Sequence, residues 1–417
     1  MDKEKTTEKE EILGEENEEK ELETVKETSY ENKILDLETQ TEEKVVVNPR
    51  KQDNQSKKAK RNKIIKTVLL LLFFGATFYA VYAVSKTLSG GNIASLNEVL
   101  STVSPLFACV LVLVVILLFL TDAIKYSIVS KITMKKFDYK LNIGVGIMGR
   151  FYDNITPFNT GGQAYQVYQY YKAGYPSSIA TVIPIVKYVF QLVAWIVVSL
   201  VLYIANHSVL GYLPDAQAAA VGSLTYLGIA VAACAPILVI LFSIFPNAVH
   251  KVIAFFIKLG CKLKIVKDFD KVDKQVIDFL ESYRQAFLYI TKDFWGVASL
   301  IIVSMLDFII MMSLPFFVIV ALGKTEPTME LFWNMVTLNA YSLFAASLVP
   351  TPGNSGAIEG VASMAFAPFP MGEGSLFWIV FIWRICSYYI YIILGLLATF
   401  AKFIKNFVAK RKKVKNA

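Results

Sequence analysis

Two stretches of this chain share a polar, helix-breaking phrase, "TPFNTGG" at 156–162 and "TPGNSGA" at 351–357. Each runs Thr-Pro, any residue, Asn, a small hydroxyl residue, then Gly. Pro removes a backbone donor and Gly permits unusual backbone angles, so each phrase should stop one helix and start another. A helix that starts there offers unpaired amides to an anion such as a phosphate. Around the first phrase, Arg150, Asp153, Asn154, Asn159 and Gln163 supply charge and hydrogen bonding, and Glu359 follows the second. Lys187 in "TVIPIVKYVFQL", Asp307 in "VSMLDFII" and Arg384 in "VFIWRICSYY" stand inside long apolar runs. Ionisable groups in such runs are costly and are read as functional by default. Two readings stay open for Lys187, Asp307, Glu359 and Arg384. They pair with one another, or a cation holds a phosphate while a carboxylate holds a cationic or hydroxyl-bearing group.

These residues belong to a chain of 417 residues that is 55% hydrophobic and 18% charged, too apolar for an ordinary soluble protein of this length. Apolar runs long enough for a bilayer, roughly 20 residues each, lie at 64–84, 105–129, 179–205, 220–244, 294–322 and 375–401. Shorter, interrupted runs lie at 331–349 and 356–369.

Orientation follows from Lys and Arg in the connecting segments. The segment after the second run carries Lys125, Lys131, Lys135, Lys136, Lys140 and Arg150, and the connection at 246–293 is rich in Lys. Both read as cytoplasmic. Residues 85–104, 206–219 and 323–330 are poor in basic side chains and read as external. For the third run to begin inside, 131–178 must leave and return on the cytoplasmic side. For the sixth to end inside, 331–374 must do the same on the external side. Each phrase then falls in a re-entrant hairpin or an interfacial fold, and the two are entered from opposite faces. An inverted-topology repeat leaves that mark, and such repeats belong to transporters. Irregular backbone is tolerated at membrane depth only inside protein or along a wet cavity. The expected fold is an all-α integral membrane protein with about six long transmembrane helices plus two re-entrant or broken helical hairpins in an inverted-repeat arrangement.

Residues 1–56 hold 18 acidic against 9 basic side chains and read as a disordered acidic cytoplasmic tail. Lys57, Lys58, Lys60, Arg61, Lys63 and Lys66 follow as a positive-inside anchor. The membrane domain is placed at 57–405, and a basic cytoplasmic tail at 406–417. In "DFDKVDKQVIDFLESYRQAFLYI", Val272, Val276, Phe279, Leu280 and Phe287 gather near one helical face. That stretch should lie on the membrane or on the protein's underside. Tyr165, Tyr168, Tyr170, Tyr171 and Tyr175 suit the headgroup layer. Cys109, Cys234, Cys261 and Cys386 lack CxxC spacing and the only histidines are His207 and His250, which argues against a zinc site or a Cys/His catalytic pair. No GxxxxGK[ST] phosphate loop occurs. No catalytic residue, metal or cofactor is assigned.

The motifs "DNITPFNTGGQAYQVY", "PTPGNSGAIEG" and "WRICSYYIYIILG", in that order, resemble the membrane region of the lysylphosphatidylglycerol synthase family, also called the multiple peptide resistance factor flippase region. The likeness covers roughly residues 64 to 405. By position, Asn154, Pro157, Gly161, Gly162 and Gln163 match the first motif. Pro350, Pro352, Gly353, Gly356 and Glu359 match the second, and Arg384 matches the last. Many relatives carry Gly where Asn354 stands here; Asn tolerates a left-handed backbone, so the turn is expected to survive. The resemblance implies a membrane domain with two re-entrant elements that moves a lipid, in the best-known members an aminoacylated phosphatidylglycerol, from the inner to the outer leaflet.

Full-length synthases add a soluble domain that transfers an amino acid from charged transfer RNA to the lipid. The residues after the last apolar run are too few to form one, so lysyl transfer by this chain alone is not expected. The expected function is lipid translocation by a multi-pass protein of the cell membrane with both termini cytoplasmic. Phosphatidylglycerol or an aminoacyl derivative is the expected cargo. The lipid-handling part of a phosphatidylglycerol lysyltransferase system and a membrane scaffold stay open as alternatives. Membrane lipids are the expected partners, a separate soluble transferase and a second copy of the chain stay open, and nothing points to nucleic acid.

Overall fold

The computed structural model describes residues 75, 78–79, 82–88, 91–135, 137–157, 159–262, 268–323, 325–369 and 374–401. The acidic tail at 1–56, the basic cluster that follows it, most of the first apolar run and the basic tail at 406–417 lie outside the described residues.

Every regular element among the described residues is helical. The order is α1 (Leu96–Ser101), α2 (Pro105–Met134), α3 (Tyr139–Asn154), α4 (Gly161–Lys172), α5 (Ser177–Ala205), a 3-10 turn at His207–Tyr212, and α6 (Asp215–Ile244). There follow α7 (Pro246–Lys262), α8 (Phe269–Lys292), α9 (Phe294–Met312), α10 (Leu314–Ala321), α11 (Met329–Ala346), α12 (Ala357–Phe366) and α13 (Leu376–Arg384), which runs on through a π-helical turn at Ile385–Tyr389.

Among the described residues, five apolar helical stretches are long enough to cross a membrane: α2, α5, α6, the stacked α9 and α10, and α13 with its continuation to Ala401. The shortest has 26 residues, about 39 Å at the rise of an α-helix, against about 30 Å of hydrocarbon. The chain is an all-α integral membrane protein. Five of the six expected long runs are thus helices of spanning length, and the remaining one, at 64–84, falls mostly outside the described residues. The fourth of these stretches is broken once, at Ser313, with Pro315 in the first turn of α10, where a missing donor costs nothing.

Between α2 and α5, and again between α10 and α13, the chain forms a hairpin of two shorter helices. Helices α3 and α4 have 16 and 12 residues, and α11 and α12 have 18 and 10. The "TPFNTGG" phrase forms the bend of the first hairpin, and "TPGNSGA" the bend of the second. Each hairpin has its own apolar surroundings. Val145 and Tyr170 of the first pack with Tyr126, Val129, Val186 and Leu300, whereas Met335, Leu338, Ile358 and Phe366 of the second pack with Leu118, Ile319, Ile379 and Trp383. A small third group, Phe151, Tyr388 and Ile392, joins the first hairpin to the middle of the last span.

The amphipathic stretch read at 268–290 is α8; one side of it packs on the protein, whereas Phe279 of the expected apolar face is exposed. Tyr283, Phe287 and Ile290 are buried in the core beside α5 and α9. The tyrosines near the first phrase divide. Tyr168 and Tyr171 are exposed, as an interfacial belt requires. Tyr170 and Tyr175 are buried; the Tyr170 hydroxyl donates to Asn142 Oδ1 at 2.8 Å, and that of Tyr175 is 3.2 Å from Ser130 Oγ. On a helix, side chains one residue apart point in different directions, which is why neighbouring tyrosines serve different ends.

Candidate functional site

The two hairpin bends touch. Pro157 and Pro352, equivalent residues of the two phrases, face each other as an isolated antiparallel bridge. The Asn at the same place in each phrase has a left-handed backbone, with φ 53° at Asn159 and φ 54° at Asn354. Asn supports that conformation better than most side chains, so the turn survives with Asn at 354, as expected. Tyr388, on the π-helical turn, fastens the two bends. Its hydroxyl donates toward Asn154 O at 3.0 Å and Pro352 O at 3.3 Å, while Asn154 Nδ2 donates to the Tyr388 carbonyl at 3.2 Å.

Beside this junction lies a closed ion pair. Arg384 Nε donates to Glu359 Oε1 at 2.7 Å, and both side chains are buried. The other end of the guanidinium donates to Ser355 Oγ at 3.0 Å and to the Gly353 carbonyl at 3.3 Å. Its face lies 4.2 Å from the centre of the Tyr388 ring. The second carboxylate oxygen of Glu359 accepts the Gly356 amide at 2.6 Å. Gly353 has φ +60°, and an added Cβ would run into the Tyr388 ring, so only glycine fits.

A second cluster is built across α2, α3, α5 and α9. Asp122 Oδ1 is 2.9 Å from Lys125 Nζ and 3.1 Å from Lys187 Nζ, and its Oδ2 accepts from Arg150 Nε at 2.8 Å. Asp307 accepts from Lys125 at 2.7 Å and from the Thr121 hydroxyl at 2.5 Å, with Arg150 at 4.0 Å. Gln191 Oε1 takes another Lys125 proton at 2.9 Å. Lys187 lies over the Tyr126 ring at 4.7 Å, and Arg150 over Tyr391 at 5.7 Å, contacts that favour a cation. Among the groups in direct ion contact, three cations share two carboxylates. Arg150 is the member with an outlet, its side chain 21% exposed where that of Lys125 is 0%.

The profile of the "Lysylphosphatidylglycerol synthase TM region" matches residues 64–395 of this chain. The chain belongs to this family. A comparison with curated proteins finds no match. As a lysylphosphatidylglycerol synthase TM region, the fold carries a membrane, lipid-related role. The motif residues that carry the family resemblance, Asn154, Pro157, Gly353, Gly356, Glu359 and Arg384, sit at or beside the junction of the bends.

The other predicted positions are placed as follows. Arg150, Lys187 and Asp307 come together in the α2-centred cluster, but Lys187 meets Asp122 rather than Asp307. Glu359 and Arg384 pair separately, so the four intramembrane charges form two sites and not one. Asp153 Oδ1 accepts the Gly162 amide at 2.8 Å, and Gly161 donates to Thr156 Oγ1 at 2.8 Å. The helix-start amides that the sequence offered to an anion are therefore capped by the chain itself, at Gly161, Gly162 and Gly356 alike. Gln163 is half-buried on α4 and bonds to neither cluster, and Pro350 is exposed ahead of the second bend.

Sequence reading missed Asp122 and Lys125 as site residues and placed Lys125 among the cytoplasmic loop charges. Both are buried inside α2, which continues to Met134. Their spacing of one helical turn within the run "FLTDAIKYS" is the signal: an acid and a base at i and i+3 share a helix face and can neutralise each other. Tyr388 carried no comparable signal, since its role depends on the π-helical turn that carries it.

Proposed function

We propose that this chain is a lipid translocase that holds an anionic headgroup at Arg150 and Lys187 and passes it by the junction of the two hairpin bends. The observation that carries the reading is the junction itself. Two bends with the same phrase, read from charge as entering from opposite faces, meet at equivalent prolines with matching left-handed asparagines. Irregular backbone of this kind is tolerated at membrane depth inside protein or along a pathway, and repeats of opposite orientation place their sites where the halves meet. Arg150 keeps an exposed edge beside Lys187, so an incoming phosphodiester meets two cations there, which favours an anionic over a cationic headgroup. The Glu359–Arg384 pair, closed on itself, acts as a brace for the second bend rather than as a headgroup ligand. A phosphatidylglycerol or its aminoacyl derivative fits this site through the phosphate both share.

The test is reconstitution of the purified protein in liposomes with fluorescent phosphatidylglycerol or lysylphosphatidylglycerol, followed by dithionite quenching of the outer leaflet. Quenching well beyond the half accessible in a static bilayer, reduced at least tenfold in rate by Arg150→Gln or Lys187→Gln (about 1.4 kcal/mol in barrier), supports the reading. Quenching that stops at half for both lipids overturns translocation. Rapid quenching that is unaffected by either substitution overturns the site.

A further inference from the structure

We propose that α7 is an interfacial anchor that docks on an anionic phospholipid leaflet, on the side of the membrane where α6 ends and α9 begins. This inference does not depend on the translocase reading. Helix α7 leaves the span α6 through a single residue, Phe245, whose backbone is non-helical (φ −114°, ψ 61°). Its partner α8 enters the span α9 through a single residue, Asp293. Such short joints hold both helices at the height of the span ends. Helix α8 cannot sink into hydrocarbon, since it carries Asp270, Asp273, Lys274, Asp278, Glu281 and Arg284, and charged groups there are costly. Helix α7 packs against it and is clamped by His250 Nε2 and Asp273 Oδ1, 2.9 Å apart. Ile257 is buried, and Ile253 and Ala254 are partly buried on the same side.

The opposite side of α7 has no partner among the described residues and has the chemistry of a lipid surface. Val252, Phe255, Phe256 and Leu259 recur at helical spacing and are 58%, 63%, 61% and 43% exposed. Lys251, Lys258 and Lys262 form the adjoining exposed row, with Lys258 over the Phe269 ring at 5.6 Å, and α7 has no acidic residue. An apolar face bordered by lysines lies flat in the headgroup boundary, with each Lys attracted to an anionic surface. Among the described residues no span carries a row of three exposed lysines beside its apolar face, which marks α7 as a helix made for the interface rather than the hydrocarbon.

The experiment uses the full chain in nanodiscs, with its four native cysteines replaced and a nitroxide placed at Phe255→Cys, Phe256→Cys or, as a water-facing control on α8, Gln275→Cys. The expected result is an oxygen-to-nickel accessibility ratio several-fold higher at 255 and 256 than at 275. That ratio should rise when phosphatidylglycerol is added to a phosphatidylcholine disc, and the rise should vanish with Lys251, Lys258 and Lys262 all changed to Gln. Hydrogen exchange of the unmodified protein gives the second measurement, with peptides from 246–262 slowed by phosphatidylglycerol. Labels open to nickel in both discs, or shielded from oxygen and nickel alike as in a contact between copies, overturn the proposal. A depth and an exchange rate that ignore phosphatidylglycerol overturn it as well.

Discussion

The two hairpins use one backbone device and handle charge in opposite ways. Both bend through a Thr-Pro step and a left-handed Asn, and both cap the helix that follows with an acidic side chain, Asp153 on Gly162 and Glu359 on Gly356. In the second hairpin that acid also binds Arg384, so the bend is braced by a pair closed on itself. In the first, Arg150 turns away from the bend and reaches Asp122 on α2, where it joins two lysines and a second aspartate. Exposure follows the same division: the Arg384 side chain is 6% exposed and that of Arg150 is 21%. The backbone repeat thus supplies two similar joints, and the side chains make one a closed brace and leave the other tied into a larger cluster with a partly exposed arginine.

The largest expected effect breaks the brace. Arg384→Ala leaves Glu359 buried without its cation, and removal of one partner from a buried pair costs about 3–5 kcal/mol. Thermal unfolding in detergent should show a large loss of stability. Arg150→Ala should cost clearly less, because Lys125 and Lys187 still neutralise Asp122 and part of Arg150 already meets solvent. Equal losses for the two variants would mean that the hairpins do not differ in the way their ion pairs suggest.

Next in size is Gly353→Ala. It combines left-handed strain of about 1–2 kcal/mol with overpacking against Tyr388, typically about 1–3 kcal/mol. Gly356→Ala also has a positive φ, at +89°, but nothing lies near its added Cβ, so only the strain should appear. Gly356 sits at φ 89°, ψ −51°, outside the left-handed helical region, so its strain is its own; the Tyr388 contact is isolated by a double-mutant cycle of Gly353→Ala with Tyr388→Ala in the same unfolding assay. Tyr388→Phe then removes the hydroxyl that joins Asn154 to Pro352, and a loss of about 1 kcal/mol is expected.

How much of this was legible in the sequence differs between fold and site. The long spans were legible because a run of apolar residues has one physical solution in a bilayer, and the two bends were legible in their shared phrase, where Pro and Gly interrupt a helix. The end of α2 was misjudged because Lys125 was counted with the loop lysines, whereas Asp122 and Asp307 neutralise it inside the protein. Charge alone does not tell a loop lysine from a paired one; the acid one turn earlier does. The partition of four expected charges into two sites was not legible, since Lys187 lies on α5, Asp307 on α9 and Glu359 on α12. Which of them meet depends on how whole helices pack. The self-capping of Gly161, Gly162 and Gly356 was half-written in the sequence, because Asp153 and Glu359 stand within reach of the helix starts they serve.

The smallest effect tests the likeness of the two bends most directly. Asn159 and Asn354 hold almost the same φ, 53° and 54°, and Gly is the one residue that adopts this region without a steric penalty. Replacing Asn by Gly relieves that strain but also enlarges the unfolded ensemble, so the two contributions oppose each other within about 1 kcal/mol. Asn159→Gly and Asn354→Gly should therefore each move the unfolding midpoint only slightly. If the bends are equivalent joints, the two shifts agree within about 0.5 kcal/mol, and the double variant gives their sum. A departure from additivity would show that the bends are coupled through the Pro157–Pro352 contact, each setting the backbone of the other. A clear inequality between the single variants would instead confine the likeness of the phrases to their letters.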